Sequence, residues 1–221
     1  MDSMERSIKI TLLGKKGYSI ALRTGPSTKE CTRIKESIEH FYGHLEIKPM
    51  VSLGGEKMQK VMVIGCPGSG KSTFSRALQE ITGLPLFHLD MLYWNADKTS
   101  VPESVFRERI NNTIIKDRWI IDGNYGSTID LRLQRCDTVF FLDYQTEVCL
   151  NGIVDRKGKI RTDMPWVEST EEEDEDFVSF IKEFNTVSRP KVIDLLSDYS
   201  DKNIIIFKNR DEANRYLNRM K

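Results

Sequence analysis

Cysteine is sparse and unpatterned in this chain. Cys31, Cys66, Cys136 and Cys149 show no C-x-x-C spacing, which argues against a zinc site or a disulfide frame and leaves free thiols of a reducing compartment as the expectation. Long apolar runs are missing as well. None approaches the roughly 18 residues of a membrane span, and the opening "MDSMERSIK" lacks a signal-peptide core. Cytoplasmic location and no membrane partner are therefore expected. Charge of one sign does not dominate, because 33 Lys and Arg balance 33 Asp and Glu. That balance removes a strong global field for nucleic acid, so DNA is a partner only through some local basic patch. No internal repeat is present.

What remains is a composition of 39% hydrophobic and 30% charged residues over 221 positions. It suits one α/β domain with an appendage. A seam lies at 52–60, "SLGGEKMQK", which is Gly-rich and polar and precedes a strongly apolar strand. Upstream, "IKITLL" and "YSIALRT" read as strands joined by a "GKKG" turn, "GPSTKECTRIKESIEHFYGHL" as a helix, and "LEIKPMVSL" as a further strand. Residues 1–57 are thus a β-β-α-β appendage of unassigned role. So small a core leans on the main domain or on self-association.

Residues 58–221 alternate short apolar strands with amphipathic helices. Strands are expected at 61–64, 86–89, 119–122, 138–142 and 203–207, and helices near 71–82, 102–116, 146–155, 175–184, 189–199 and 211–220. Continuous apolar strands with intervening helices imply a parallel sheet covered on both faces. The stretch "DRKGKIRTDMPWVESTEEEDED", basic first and acidic later, breaks that rhythm as an excursion.

Within this domain Gly65-Cys66-Pro67-Gly68-Ser69-Gly70-Lys71-Ser72 fits G-x-x-x-x-G-K-[ST] at each fixed position, between a strand and a helix. Glycines let the backbone wrap phosphate oxygens, and successive amides at a helix start face the anion. Lys71 is placed to reach the β- and γ-phosphates of ATP, Ser72 to ligate Mg²⁺, and Thr73 to lie beside the α-phosphate. Gly65, Pro67, Gly68, Ser69 and Gly70 form the rest of the cradle.

Ligands of parallel α/β sheets sit at the carboxyl ends of the strands. Asp90 ends "FHLD" and Asp122 ends "WIID". A carboxylate directly after an apolar strand is costly to bury unpaired, so Asp122 reads either as a carboxylate facing Mg²⁺ or as a turn cap before Gly123. Asp90 reads as the group that orients or deprotonates an attacking hydroxyl, or as an N-cap of a following helix. His88, two residues earlier, reads as a packing or hydrogen-bonding residue. Tyr93 and Trp94 read as core or as the wall of an acceptor pocket.

The segments "VMVIGCPGSGKST", "LPLFHLDMLYW", "RWIIDGNYGSTIDLRL", "CDTVFFLD", "GKIRTDMP" and "SRPKVIDLL" together resemble the topology-modulation proteins, P-loop proteins related to adenylate and shikimate kinases. The resemblance covers about 58–217. It implies a five-stranded parallel sheet of order 2-3-1-4-5, helices on both faces, and a lid at about 156–175. It also implies ATP binding. "WIIDGNYGS" occupies the place of the adenylate-kinase "DGFPR", with Asn124 and Tyr125 replacing Phe and Pro and no arginine following. Nucleoside-monophosphate recognition is therefore not carried over. Asn124, Tyr125 and Arg132 are the candidate acceptor-binding residues, Arg132 being either a phosphate-binding charge or a solvated helix residue. In the lid, Arg161 and then Arg156 are the candidates for the arginine that stabilises the transferring phosphoryl group; Lys157 and Lys159 share the basic face.

Two functions follow. The first is a phosphotransferase that moves the γ-phosphoryl group of ATP to a nucleotide or small hydroxylated acceptor. The second is a regulatory ATP-binding protein that acts on DNA topology or through a protein partner.

Overall fold

The computed structural model describes residues 8–12, 18–22, 45–49, 58–159, 163–165 and 175–221. The chain divides into two compact units, Met1–Lys57 and Met58–Lys221. In the first, strands β1 (Ile8–Leu12), β2 (Tyr18–Leu22) and β3 (Leu45–Pro49) form an antiparallel sheet of order β2-β1-β3. Ile10 sits opposite Ile20 on one side and Ile47 on the other. The helix read over 25–45 lies outside the described residues except for Leu45, which opens β3 instead.

The second unit is a five-stranded sheet built from β4 (Lys60–Gly65), β5 (Leu86–His88), β6 (Trp119–Asp122), β7 (Thr138–Leu142) and β8 (Asn203–Phe207). The order is β5-β6-β4-β7-β8 and every pairing is parallel. This is the 2-3-1-4-5 arrangement. Helices α1 (Lys71–Thr82), α2 (Leu89–Tyr93), α3 (Glu103–Ile114), α4 (Ile129–Leu133), α5 (Thr146–Val154), α6 (Glu175–Glu183), α7 (Arg189–Ser197) and α8 (Arg210–Met220) connect and flank the strands.

The period of two along β4 explains the layers. Val61 and Val63 face a core shared with Phe74 and Leu78 of α1, Phe184, and Ala213 and Leu217 of α8. Met62 and Ile64 face the opposite core, with Phe106 and Ile110 of α3, Leu133 of α4, and Val192 and Leu196 of α7. A central strand buried on both faces must be apolar at consecutive positions, and all four of these residues are fully inaccessible.

Two departures from the expected elements matter. β5 stops at His88, so Asp90 lies in the first turn of α2 rather than on the strand. The helices expected at 175–184 and 189–199 are joined by a π turn, Phe184–Ser188. Pro190, which has no N–H to donate to the helical ladder, follows at once. The turn delivers Arg189 to a two-pronged pair with Asp143 just past β7: Nε donates to Oδ1 at 2.6 Å and the second nitrogen to Oδ2 at 2.8 Å. The Lys208 ammonium, just past β8, donates to the same carboxylate. Burial works to raise the Asp143 pKa, but these hydrogen bonds and charges outweigh it and hold the carboxyl below its ordinary value.

Candidate active site

The candidate site is centred on the loop after β4. Gly65 and Gly68 have φ of 149° and 79°, and Gly70, which precedes α1, has φ of 90°. The second of these glycines is also required by space. A Cβ at Gly68 would stand 2.0 Å from the Cys149 carbonyl oxygen on α5, and one at Gly152 would stand 2.0 Å from the Gly68 carbonyl oxygen. The loop is thus held against α5 at two facing glycines. α1 begins with neither a side-chain cap nor an acidic residue in its first turn. Its first amides and the positive end of its dipole are therefore left for an outside anion.

The Lys71 ammonium donates to the Cys66 carbonyl at 2.9 Å, folded back across its own loop. Burial lowers its pKa, and the charges of Asp90 and Asp122 oppose that shift. Both carboxylates therefore act on this ammonium. Cys66, Cys136 and Cys149 are free and buried. Thr73 is exposed on α1, with Oγ1 at 3.5 Å from Arg76.

Sheet register places Asp122. It pairs with Val63 of β4 on one side and with His88 of β5 on the other, so it sits between the phosphate loop's strand and the edge strand. The residue is 3% exposed. Oδ1 accepts from His88 Nδ1 at 2.8 Å, whereas Oδ2 is buried with no hydrogen-bond partner. Burial would push the His88 imidazole down, but the hydrogen bond and charge of Asp122 outweigh it, and its pKa lies above the ordinary value. Ser69 Oγ and Asn124 Oδ1 are likewise buried without partners. An unsatisfied buried polar atom costs about 1–3 kcal/mol. Three of them on the segments that end β4 and β6 mark a place built for a polar ligand.

The segment after β6 is strained and braced. Tyr125 has φ of 33°, a left-handed conformation that costs a non-glycine residue of order 1–3 kcal/mol. Its hydroxyl donates to Asp90 Oδ1 at 2.6 Å. Burial, together with the Asp90 charge and this bond, raises the phenol's pKa. Tyr93, Tyr125 and Phe106 pack with ring centroids 4.9 to 5.0 Å apart, and Trp94 meets Tyr93 edge-on.

Arg132 corrects both of its expected roles. It is neither solvated nor open to an acceptor's phosphate, because it is fully inaccessible. Its guanidinium donates to the carbonyls of Gly123 at 2.9 Å, Asn124 at 2.7 Å, and Tyr125 and Thr128 at 3.2 Å each. Burial pushes its pKa down to about 9, which still leaves a cation at neutral pH. A planar fork with five donors suits four converging carbonyls, so Arg132 braces the 123–128 segment from below.

Of the other expected site residues, Asp90 stands at Tyr125 and not at the tip of β5. Arg156 is half-buried with its guanidinium 5.7 Å from the Phe177 ring centroid, a cation–π contact. Arg161 lies outside the described residues. Nearby, Asp163 is 2% exposed, and Arg76 of α1 approaches it at 3.5 Å. His88, read as packing or hydrogen-bonding, takes the second role, and its partner was legible too. In order 2-3-1 the last residues of the second and third strands are neighbours, which brings His88 beside Asp122.

Among the described residues no group of three His, Cys, Asp or Glu side chains could hold a metal ion. No helix among them is long and apolar enough to cross a membrane. A cleft of about 300 Å³ is lined by Val148, Asn151, Asn209, Arg210 and Asp211. It adjoins the phosphate loop, since a Cβ at Gly152 would lie 2.0 Å from the Gly68 oxygen and 3.0 Å from the Arg210 guanidinium.

No family model matches the chain, and no curated protein matches it in sequence. Solved structures do match its fold. A shikimate kinase from Acinetobacter baumannii in complex with shikimate aligns at 16% identity, over 75% of this chain and 92% of that one, with a TM-score of 0.50. A shikimate kinase from Bacteroides thetaiotaomicron aligns at 18% identity over 74% and 96%, TM-score 0.47. A deoxyadenosine kinase from M. mycoides with bound dATP aligns at 13% identity over 73% and 98%, TM-score 0.42. With the sheet order described above, the first of these shows the P-loop kinase fold.

Proposed function

We propose that residues 58–221 bind ATP with Mg²⁺ and transfer its γ-phosphoryl group to a nucleotide or a small hydroxylated metabolite. The observation that carries this reading is the set of polar groups, two of them orphaned, at one sheet end. Uncapped α1 amides, the Lys71 ammonium, Ser69 Oγ and Asp122 Oδ2 converge on the loop that glycines fold tightly. Amides and ammonium offer donors to a polyphosphate; the orphan carboxylate oxygen calls for a cation.

Mg²⁺ fits that donor set. It keeps several waters and binds through one or two protein groups plus phosphates, so a site with a single buried carboxylate and the Ser72 hydroxyl suffices. When bound, it would neutralise charge on the β- and γ-phosphates. Lys71 adds a second positive charge there. Asp90, oriented by the Tyr125 hydroxyl, accepts the proton of the acceptor's hydroxyl. Asn124 offers a polar contact to that acceptor. Arg161 and Arg156 belong to the lid at about 156–175, and either supplies the cation that steadies the transferring group. The cleft beside Gly152 seats the nucleoside end of ATP, with Arg210 at its wall.

The topology-modulation resemblance is part of this proposal. Its two most distinctive segments, "HLDMLYW" and "IIDGNYGSTIDLRL", meet through His88–Asp122 and Asp90–Tyr125. Cytoplasmic location belongs to the same reading. The test is ADP release with and without a panel of nucleotides and hydroxylated metabolites, together with transfer of labelled phosphate from ATP. Acceptor-dependent turnover is expected. Turnover that rises only with DNA or a protein partner would replace the kinase by a regulatory ATPase.

A further inference from the structure

We infer that His88 is a positioning residue that sets Asp122 for the metal of the bound nucleotide. It holds Oδ1 so that Oδ2 alone remains to accept from the ion's coordinated water. The inference rests on the proposed nucleotide site and goes beyond it by giving a task to a residue that the proposed function leaves without one.

Register comes first. His88 and Asp122 are paired positions of adjacent parallel strands, so their Cα separation is fixed by the sheet and not by a loop. Geometry comes second. Nδ1 and Oδ1 are 2.8 Å apart, and the two side chains are 12% and 4% exposed. A carboxylate only accepts, so Nδ1 carries the hydrogen. That fixes the orientation of both the ring and the carboxylate. Third, the remaining oxygen is buried and has no partner, though a buried carboxylate normally gathers two or more donors. A histidine donating to one oxygen and nothing donating to the other is the arrangement expected where the second oxygen is kept for an ion. Outer partners of this kind typically set 10–100-fold of metal affinity.

The experiment measures the affinity of the full chain for a non-hydrolysable ATP analogue by calorimetry, once in EDTA and once in Mg²⁺. The ratio is the metal's coupling to the nucleotide. His88→Ala should lower that ratio about 10–100-fold while leaving the EDTA affinity unchanged. His88→Asn, whose amide nitrogen takes the place of Nδ1, should restore most of it. His88→Leu fills the ring's space without a donor and should behave like the alanine variant; it carries the test if the smaller side chain fails to fold. An unchanged ratio in a folded alanine or leucine variant overturns the inference and leaves the site standing. A ratio that rises also overturns it, by showing that the imidazole competes with the ion. A loss that asparagine does not restore overturns it too, by marking His88 as packing. If the unmodified chain binds no analogue under either condition, the nucleotide site itself fails, and the inference with it.

Discussion

Lys71 reaches the Cys66 carbonyl and stands in the field of Asp90 and Asp122, so its removal subtracts charge from the cradle without opening a core. Lys71→Ala should reduce nucleotide-dependent turnover by about 10²–10³, the usual effect of deleting one electrostatic contact to a reacting group. An unchanged melting curve separates that loss from unfolding. Asp122→Asn keeps the shape of the side chain but removes its charge. The Mg²⁺ concentration for half-maximal nucleotide binding should rise, and a flat comparison would remove Asp122 from the metal's surroundings. Arg132 acts through four carbonyls. Arg132→Lys has too few donors and the wrong shape for them, and should destabilise the fold by about 2–4 kcal/mol, read from the urea midpoint. Sequence alone showed Arg132 to be on a helix in the right neighbourhood. It did not show that the residue is buried, because an arginine is exposed in most proteins and nothing local announces a ring of carbonyls.

Elements were largely legible. α1 spans Lys71–Thr82 and β6 spans Trp119–Asp122, as periodicity and motif context require. The helix at 102–116 is shorter by a residue or two at each end, where fraying decides. The π turn at Phe184–Ser188 was not legible, since the Arg189–Asp143 pair that it serves joins residues 46 apart in the chain. That pair ties α7 to β7 and, through Lys208, the end of β8. The sign of its pH dependence follows. The Asp143 carboxyl is held below its ordinary value, so its contribution is complete above about pH 4 and is lost as pH falls through the lowered value. Asp143→Asn should lower stability at neutral pH by about 1–2 kcal/mol after allowance for the exposure of Arg189 and Lys208. It should also flatten the acid limb of the melting temperature against pH. A steep acid limb in the variant would assign the effect to other carboxylates.

At the scale of the molecule, Met1–Lys57 and Met58–Lys221 are separate compact units, and every residue assigned to the nucleotide and acceptor sites belongs to the second. Residues 58–221 made alone should bind ATP within about threefold of the full chain, as expected of a domain with its own core. Calorimetry on the folded truncation checks this, and loss of binding would bring the first unit into the site. The balanced charge of the whole chain argues against tight DNA binding without a clustered basic surface. Sedimentation with and without residues 1–57 tests self-association.

Local chemistry written along the chain determined the glycine-rich loop, the parallel sheet and the carboxylates that follow its second strand and end its third. Glycine spacing and two-residue alternation act over only a few positions, so they can be read without a fold. Tertiary structure decided which of those carboxylates kept an open oxygen. His88 reaches Asp122 across 34 residues and Tyr125 reaches Asp90 across 35. Only the packing of β5 and α2 against β6 and the loop after it brings each pair within hydrogen-bonding distance.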